Sequence, residues 1–593
     1  MKKISIVVID SGVSKNSRYL KNIKMTLALK QGNDGENSII EESPKDFIGH
    51  GTAVIDIICS ENPDVNIISV RICENEIQIG ENELAYVLQY IYENLEVDLI
   101  NISAGITYLQ SDKILKNICK KLLFKGVLII AAFDNDGAIT YPAAFDEVIG
   151  VDVLETRENK IWIKKNSIVD VYIKNKYYRT YWLNKRTVVR GTSFATAYFT
   201  GVLSKKISDY SKVISKEIVL KDFDKIENKE NEYYNLCGPE FEIKKAIVFP
   251  INKESDVLLR FKENLPFDIN GVYDIRVSGK IGREMHGFKV ENIENISWND
   301  EFDTIILSCC KDLSEIAKKD YVKYILDNAL KYKKNIYSFE ADSRFEKYKN
   351  VYFPSLIAKN VPYHNEGKLH RICTPCVSVF GTSSKQGKYS LQIRLKKAFN
   401  EYGYSVGLLA TEPSGYLFGA ETVYHFGYNF DFNLNSFQSI AILNEMLWNI
   451  QKLGNDLILT GCQSGMRHYD NLKLQDFHIK QYSFGLGVMP DFSILCVNPH
   501  DEIEYIKKTI YMIDSLSDGR VEAIVLFPIK AVEMATGIQY KLEQVGDEEL
   551  SRKAQVLQEI FDLPVYINGN DNQIQILTKQ IVDFFSTEEN MEE

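Results

Sequence analysis

Five short, mostly apolar runs, at residues 4–9, 65–70, 99–103, 127–132 and 148–153, punctuate the start of the chain. Each is too short for a buried helix and does not alternate with polar residues, the pattern of strands covered on both faces. Between them, residues 84–94 and 112–125 carry apolar positions at helical spacing. Strand–helix alternation of this kind constrains the region to a mostly parallel sheet covered by helices, a three-layer α/β fold.

Three stretches in this region carry chemistry. Val7-Val8-Ile9-Asp10 ends a strand in a carboxylate, just before the turn Ser11-Gly12. Gly49-His50-Gly51-Thr52 puts a histidine at the start of an apolar, helical run. Arg190-Gly191-Thr192-Ser193, followed by small residues, reads as a tight turn feeding a helix over 193–207. The Ser193 hydroxyl then sits at a helix N-terminus, where free N–H groups and the positive end of the dipole favour developing negative charge. A serine is a poor nucleophile until a base takes its proton, and the base needs a third group to fix its tautomer and orientation. Asp10, His50 and Ser193 supply those roles. Each string alone is as common in ordinary caps and turns; the three in this order are not.

The set resembles the subtilisin-like serine peptidases (subtilases), whose three signature motifs stand here with their local context and in the family's chain order. A fourth stretch agrees, the strand at 127–132 running into Phe133-Asp134-Asn135-Asp136-Gly137. The resemblance implies that Asn135 is the side-chain donor of the oxyanion hole, with Asp134 where the family usually has glycine. It also implies that residues 100–105 border the pocket for the substrate's P1 side chain. Phe133 and Asp134 then either narrow that pocket, favouring small or basic P1 residues, or pack into the sheet and leave it alone.

The chain has 593 residues, room for about three or four domains. Residues 1–235 are read as the peptidase, with a charged, Asn-rich boundary at 222–234. A Rossmann-like α/β domain follows at 244–367, with strands at 246–249, 271–275, 304–308 and 335–339 and one amphipathic helix over 313–332. Its Ser278-Gly279-Lys280-Ile281-Gly282 is too sparse for a dinucleotide fingerprint, so a structural or docking role is expected. At 371–585 a strand, 377–380, leads into Gly381-Thr382-Ser383-Ser384-Lys385-Gln386-Gly387-Lys388-Tyr389-Ser390 and a helix to about residue 402. Glycines let backbone N–H groups turn inward and Lys388 can reach phosphates. The spacing resembles the P-loop of dethiobiotin-synthetase-like enzymes. That resemblance implies a P-loop NTPase-like domain binding ATP or another purine nucleotide with Mg²⁺ through Gly381, Thr382, Gly387, Lys388 and Ser390. Tyr389 takes the usual metal-ligating hydroxyl position, and Thr460 stands where the acidic residue of the Walker-B strand at 456–461 is expected, so little hydrolysis is predicted. Residues 586–593 read as an acidic tail.

A net charge of −11 argues against nucleic acid or an anionic membrane as a general partner. No run approaches the ~20 apolar residues of a membrane helix, and the apolar run at 4–9 stops at Asp10, short of a signal peptide. The subtilase resemblance implies a pro-segment in secreted relatives, for which residues 1–9 leave no room. The ten cysteines have no disulfide-framework spacing, and Cys373-x-x-Cys376 has no second pair to complete a zinc site. A cytoplasmic protein with reduced thiols and no metal centre is expected. Residues 245–585 also resemble bacterial proteins combining a Rossmann-like and a P-loop domain, some of them accessories of bacteriocin-type peptide-maturation clusters. Together these readings predict an intracellular endopeptidase that needs no cofactor for proteolysis and processes a precursor peptide beside maturation-cluster proteins. The alternatives are a general protease gated by nucleotide, and a nucleotide-dependent peptide-modifying enzyme with an accessory peptidase.

Overall fold

The computed structural model describes residues 3–586 apart from 32–36, 76–78, 111, 136, 157, 159, 165–166, 184, 209–214, 222, 227–237, 355–366, 426–433, 468–477 and 534–539. Asp136, most of the boundary expected at 222–234 and all but the first residue of the tail lie outside the described residues. The chain divides into two compact units, Met1–Asn231 with Pro362–Arg371, and Glu232–Val361 with Ile372–Glu593.

The first unit is built on a ten-stranded sheet among the described residues. In spatial order its strands are Asp224–Ile226, Ile161–Lys164, Val171–Lys174, Ile149–Leu154, Leu128–Ala132, Leu99–Ile102, Ser5–Asp10, Asn66–Arg71, Ile23–Gln31 and Asn37–Glu41. All neighbours pair in parallel except Ile161–Lys164 with Val171–Lys174 and Ile23–Gln31 with Asn37–Glu41. Its longer helices, in chain order, are α1 (His50–Glu61), α2 (Glu81–Asn94), α3 (Asp112–Phe124) and α4 (Thr192–Ile207), with the short helix Lys216–Leu220 after them. Ile6, Val8, Leu99, Leu128 and Ile130 join one core with α1 and α4. The alternate residues Val7, Ile9, Ile100 and Ile129 are equally buried. Burial of both faces is why these strands read as mostly apolar runs without regular alternation.

α1 and α4 carry His50 and Ser193 and must lie close. Gly201 permits it, because a Cβ there would come within 2.7 Å of Glu61 Cβ and 2.8 Å of the Ile58 carbonyl oxygen. A buried hydrogen bond from Asn101 Nδ2 to Thr200 Oγ1, 2.8 Å, pins α4 to the sheet. An antiparallel hairpin that the sequence patterning did not reveal, Tyr178–Trp182 with Lys185–Val189, packs across α1.

The second unit holds two seven-stranded sheets. In one the order is Glu284–Met285, Phe288–Asn292, Asp268–Asp274, Lys245–Phe249, Thr304–Leu307, Asn335–Ser338, Val351–Tyr352. The other is parallel throughout, in the order Thr422–Val423, Val406–Ala410, Leu457–Gly461, Cys376–Gly381, Phe492–Val497, Arg520–Leu526, Val565–Ile567. One core runs through both, with Val248, Tyr337 and Phe339 beside Val377, Tyr389 and Leu408. The single helix expected over 313–332 is two, Lys311–Ala317 and Tyr321–Lys331. Lys318 turns left-handed at φ 51°, and the Asp320 side chain caps the second helix by accepting from the Lys323 N–H at 2.9 Å. The apolar spacing runs through this break, so it was invisible to periodicity. Among the described residues no helix is long and apolar enough to cross a membrane.

Candidate active site

The strand Ser5–Asp10 ends with Asp10 buried at its carboxyl end, where the Asp10 Oδ1 accepts from the next N–H, that of Ser11, at 2.7 Å. His50 opens α1 directly opposite. Its Nδ1 lies 2.9 Å from Asp10 Oδ1 and 3.0 Å from Oδ2, which fixes the Nδ1–H tautomer and turns Nε2 outward. Burial pulls the imidazolium down, but the charge and hydrogen bond of Asp10, with Asp46 behind it, outweigh that and hold His50 above its ordinary range.

Asp46 is a part that the sequence reading missed. Its carboxylate accepts from the Gly49 and Thr52 N–H groups at 2.6 and 2.9 Å, and from the hydroxyls of Ser11 and Thr52. It therefore caps α1 and ties the His50 turn to the Asp10 turn. The hairpin adds Trp182, whose indole N–H donates to the Ile48 carbonyl at 2.7 Å and whose ring meets His50 edge-on at 6.0 Å. Gly49 has φ 100°, and a Cβ would sit 2.5 Å from the Trp182 ring, so only glycine fits under the indole.

Ser193 is the second residue of α4, and the ring of its neighbour Phe194 packs 5.0 Å from the His50 ring. The Ser193 hydroxyl donates to the Ser103 carbonyl at 3.2 Å. Asn135 lies at the same helix end. Its Oδ1 accepts from the Thr192 N–H at 3.0 Å and the Thr192 hydroxyl at 3.2 Å. Since an N–H can donate only to the oxygen, Nδ2 must be the atom turned away from the helix, as a donor. Gly191, at φ 133°, makes room, because a Cβ would come within 2.9 Å of Asn135 Oδ1. The structure thus brings Asp10, His50, Ser193 and Asn135 to one end of the sheet and to the starts of two helices.

An open cleft of about 490 Å³ is lined among others by Gly80, Glu83, Gly105, Tyr108 and Arg371. Phe133 does not reach into a pocket. It is 1% exposed and packs against Gly150, where a Cβ would come within 2.7 Å of the Phe133 ring. Of the two outcomes expected for Phe133, packing into the sheet is the observed one, and a pocket narrowed by its ring is not.

In the second unit Gly381 ends a strand and Lys388 opens the helix Lys388–Glu401 after Gly387, which is left-handed at φ 68°. Thr382 Oγ1 is bonded to Asp501 and Gln386, holding the loop shut on itself. Lys388 is 8% exposed, and its ammonium donates to the Ser383 carbonyl at 2.6 Å; burial lowers its pKa. Ser390 is half-buried one turn into the helix. Tyr389 is buried, with its hydroxyl 3.5 Å from Ser414 Oγ, and Thr460 donates to Ser378 Oγ at 2.9 Å. Neither is directed to a metal. The carboxylate that does feel Lys388 is Glu412, two residues past the strand Val406–Ala410. Burial raises it while Lys253 and Lys388 draw it down, and the net shift is upward.

Residues 1–222 match the Subtilase family, and residues 364–574 match the P-loop domain of a domain of unknown function, DUF1611. The minor extracellular protease Epr of Bacillus subtilis (strain 168) is 32% identical over 164 residues, 25% of this chain and 23% of that protein. The chain therefore spans less than a quarter of Epr. Subtilisin DY of Bacillus licheniformis is 22% identical over 233 residues, 36% of this chain and 80% of that protein. A solved DUF1611 family protein from Anabaena variabilis is 14% identical and covers 58% of this chain and 100% of its own, with a TM-score of 0.41. The chain thus combines an N-terminal region similar to the Subtilase family with a C-terminal region similar to the DUF1611 P-loop domain.

Proposed function

We propose that the chain is a serine endopeptidase in which Ser193 attacks the scissile carbonyl. His50 Nε2 takes the hydroxyl proton and returns it to the leaving amine, while Asp10 holds Nδ1–H and stabilises the imidazolium. For that transfer the Ser193 hydroxyl turns from the Ser103 carbonyl to His50, a tightening common when substrate arrives. The tetrahedral oxyanion is received by Asn135 Nδ2 and the Ser193 N–H at the start of α4. The observation that carries this reading is the two-oxygen grip of Asp10 on His50 beside the helix end that presents Ser193 and Asn135.

The test is labelling of the full chain by a fluorophosphonate probe. Wild-type protein is labelled, whereas Ser193→Ala is not and keeps its circular-dichroism spectrum. Folded wild-type protein that stays unlabelled refutes the reading.

The loop 381–390 is assigned to a purine nucleotide. A buried ammonium with three donors and one close carbonyl acceptor suits an anion, and Gly387 with the Lys388 N–H would hold its phosphates. When bound, Mg²⁺ would supply charge neutralisation, and Glu412, whose carboxyl feels the Lys388 charge, would be the acid nearest in chemistry to that task. The substrate we infer is a peptide, the leader of a ribosomally made, bacteriocin-type precursor, handled in the cytoplasm with maturation-cluster proteins. Its support is the sequence resemblance of the C-terminal half to such accessories. Proteolysis itself calls on none of the nucleotide-loop residues.

A further inference from the structure

The subtilase match ends at residue 222, yet the subtilisin-like unit does not. Residues 367–371, which lie within the span matched by the second family, belong to this unit and run along the loop that follows Asn135. The Leu369 N–H donates to the Gly137 carbonyl at 3.2 Å, and the Leu369 carbonyl accepts from the Ile139 N–H at 2.9 Å. His370 stacks on Tyr141, 15° from parallel, with its Nδ1 3.3 Å from the Tyr141 hydroxyl. These contacts bracket 137–141 from outside, as a strap.

The strap delivers a cation beneath the loop. Lys368 is 5% exposed. Its Nζ lies 3.0 Å from Asp152 Oδ2, donates to the Asp134 carbonyl at 3.4 Å, and sits 5.3 Å from the centre of the Phe133 ring. Asp152 is itself on the sheet, in the strand Ile149–Leu154, and its Oδ1 accepts from the Val153 N–H at 2.7 Å. The ammonium is thus anchored to the rigid sheet on one side. On the other it grips the carbonyl of the residue that immediately precedes Asn135. A buried ion pair gains little net stability, so its value lies in fixing geometry. A displacement of about 1 Å in a group aimed at a reacting centre can cost about 10²-fold in rate.

We propose that Lys368 is a positioning residue of the peptidase, holding the loop that aims Asn135 at the oxyanion from a segment outside the subtilase match. The proposal rests on the reading of Asn135 as oxyanion donor, and acts through that residue alone.

The experiment uses the full chain and one peptide nitroanilide that the wild type cleaves. It compares wild type, Lys368→Met, Lys368→Arg, Asn135→Ala and the Lys368→Met/Asn135→Ala double variant. Lys368→Met lowers kcat about 10- to 100-fold with KM within about threefold of wild type, since the loss is in aim and not in binding. Lys368→Arg, which keeps the cation, recovers most of kcat. In the Asn135→Ala background, Lys368→Met costs less than about threefold more, because the group it aims is gone. Should losing the cation beside Asp152 unfold Lys368→Met, adding Asp152→Asn removes both charges, and the same kcat loss is expected. A Lys368→Met kcat within threefold of wild type, an equal loss in both backgrounds, or an Arg variant as poor as Met overturns the proposal. An Asn135→Ala variant with wild-type kcat overturns the oxyanion reading first and the proposal with it, so the two failures are told apart.

Discussion

Replacing Asn135 by alanine and by aspartate separates two duties of one side chain. Its Oδ1 accepts both the N–H and the hydroxyl of Thr192, which is 1% exposed at the first turn of α4. Its Nδ2 is left as the donor for the oxyanion. Alanine removes both. The lost donor is worth ~10²–10³ in kcat, the figure known for such donors in subtilisin-type enzymes. The lost acceptor leaves a buried helix-end N–H unpaired, at about 1–3 kcal/mol, or roughly 2–4 °C of melting temperature per kcal/mol for a unit of this size. Aspartate keeps the acceptor and places negative charge at a helix N-terminus, which favours it by about 0.3–1 kcal/mol. It has no donor, and its second oxygen faces the developing oxyanion with like charge. Asn135→Asp therefore melts at or slightly above wild type while losing at least as much kcat as Asn135→Ala, which melts lower. Scanning calorimetry of the full chain and initial rates on a peptide nitroanilide read both effects. Equal melting temperatures for the two variants, or an Asn135→Ala kcat within threefold of wild type, refute the division of labour.

Four further outcomes are expected. Since Asp10 and Asp46 raise His50 above its ordinary value of 6.5, the acid limb of kcat/KM lies above that pH and moves below it in Asp10→Asn, whose kcat falls about 10⁴-fold; a wild-type limb below 6.5 contradicts this. Because the folded-state value is the higher one, the His50–Asp10 pair stabilises the fold fully below the unfolded value and loses that contribution as pH rises through the folded one, measurable as the pH dependence of the melting difference between wild type and His50→Gln. Phe133→Ala, which empties a fully buried site against Gly150, costs about 3–5 kcal/mol but leaves the P1 preference unchanged in a peptide library; a shift toward larger P1 residues would place the ring in the pocket after all. For the nucleotide loop, ADP binds the full chain in calorimetry and Lys388→Ala weakens it about 10- to 100-fold, the worth of a charged hydrogen bond; equal affinity for both proteins dismisses Lys388 as a phosphate contact.

What the sequence made legible was local. Asp10 closes an apolar run, His50 and Ser193 each open a helix, Gly49 and Gly191 mark turns that an ordinary residue could not make, and Gly51 leaves room for the Gly12 backbone. The strands around them were readable because burial on both faces leaves few polar residues in them, such as Ser69, Asn101 and Asp152. The groups that hold the site in place were not readable, since their partners are far away in the chain. Trp182 bonds a carbonyl 134 residues earlier, and Lys368 one 234 residues earlier. Asp46 lay nearer, four residues before His50, but a lone aspartate ahead of a Gly-His turn gives no sign that it will gather two hydroxyls and the N–H groups of Ile48, Gly49 and Thr52. Phe133 was ambiguous for a different reason. Its place depends on Gly150 having no side chain, a vacancy that belongs to a neighbouring strand.

The strap has a bearing on how such a gene can be rearranged. The subtilisin-like unit is written in two instalments, the second beginning more than a hundred residues after the first has ended. A recombination that joined a new partner after residue 231 would carry away the ammonium that faces Asp152 and the chain that bridges Gly137 to Ile139. A buried carboxylate would be left without its cation, at a cost of several kcal/mol. The two halves are therefore not beads that can be restrung. Whatever joined them first, the returning segment has since made the N-terminal fold depend on inheriting the C-terminal sequence.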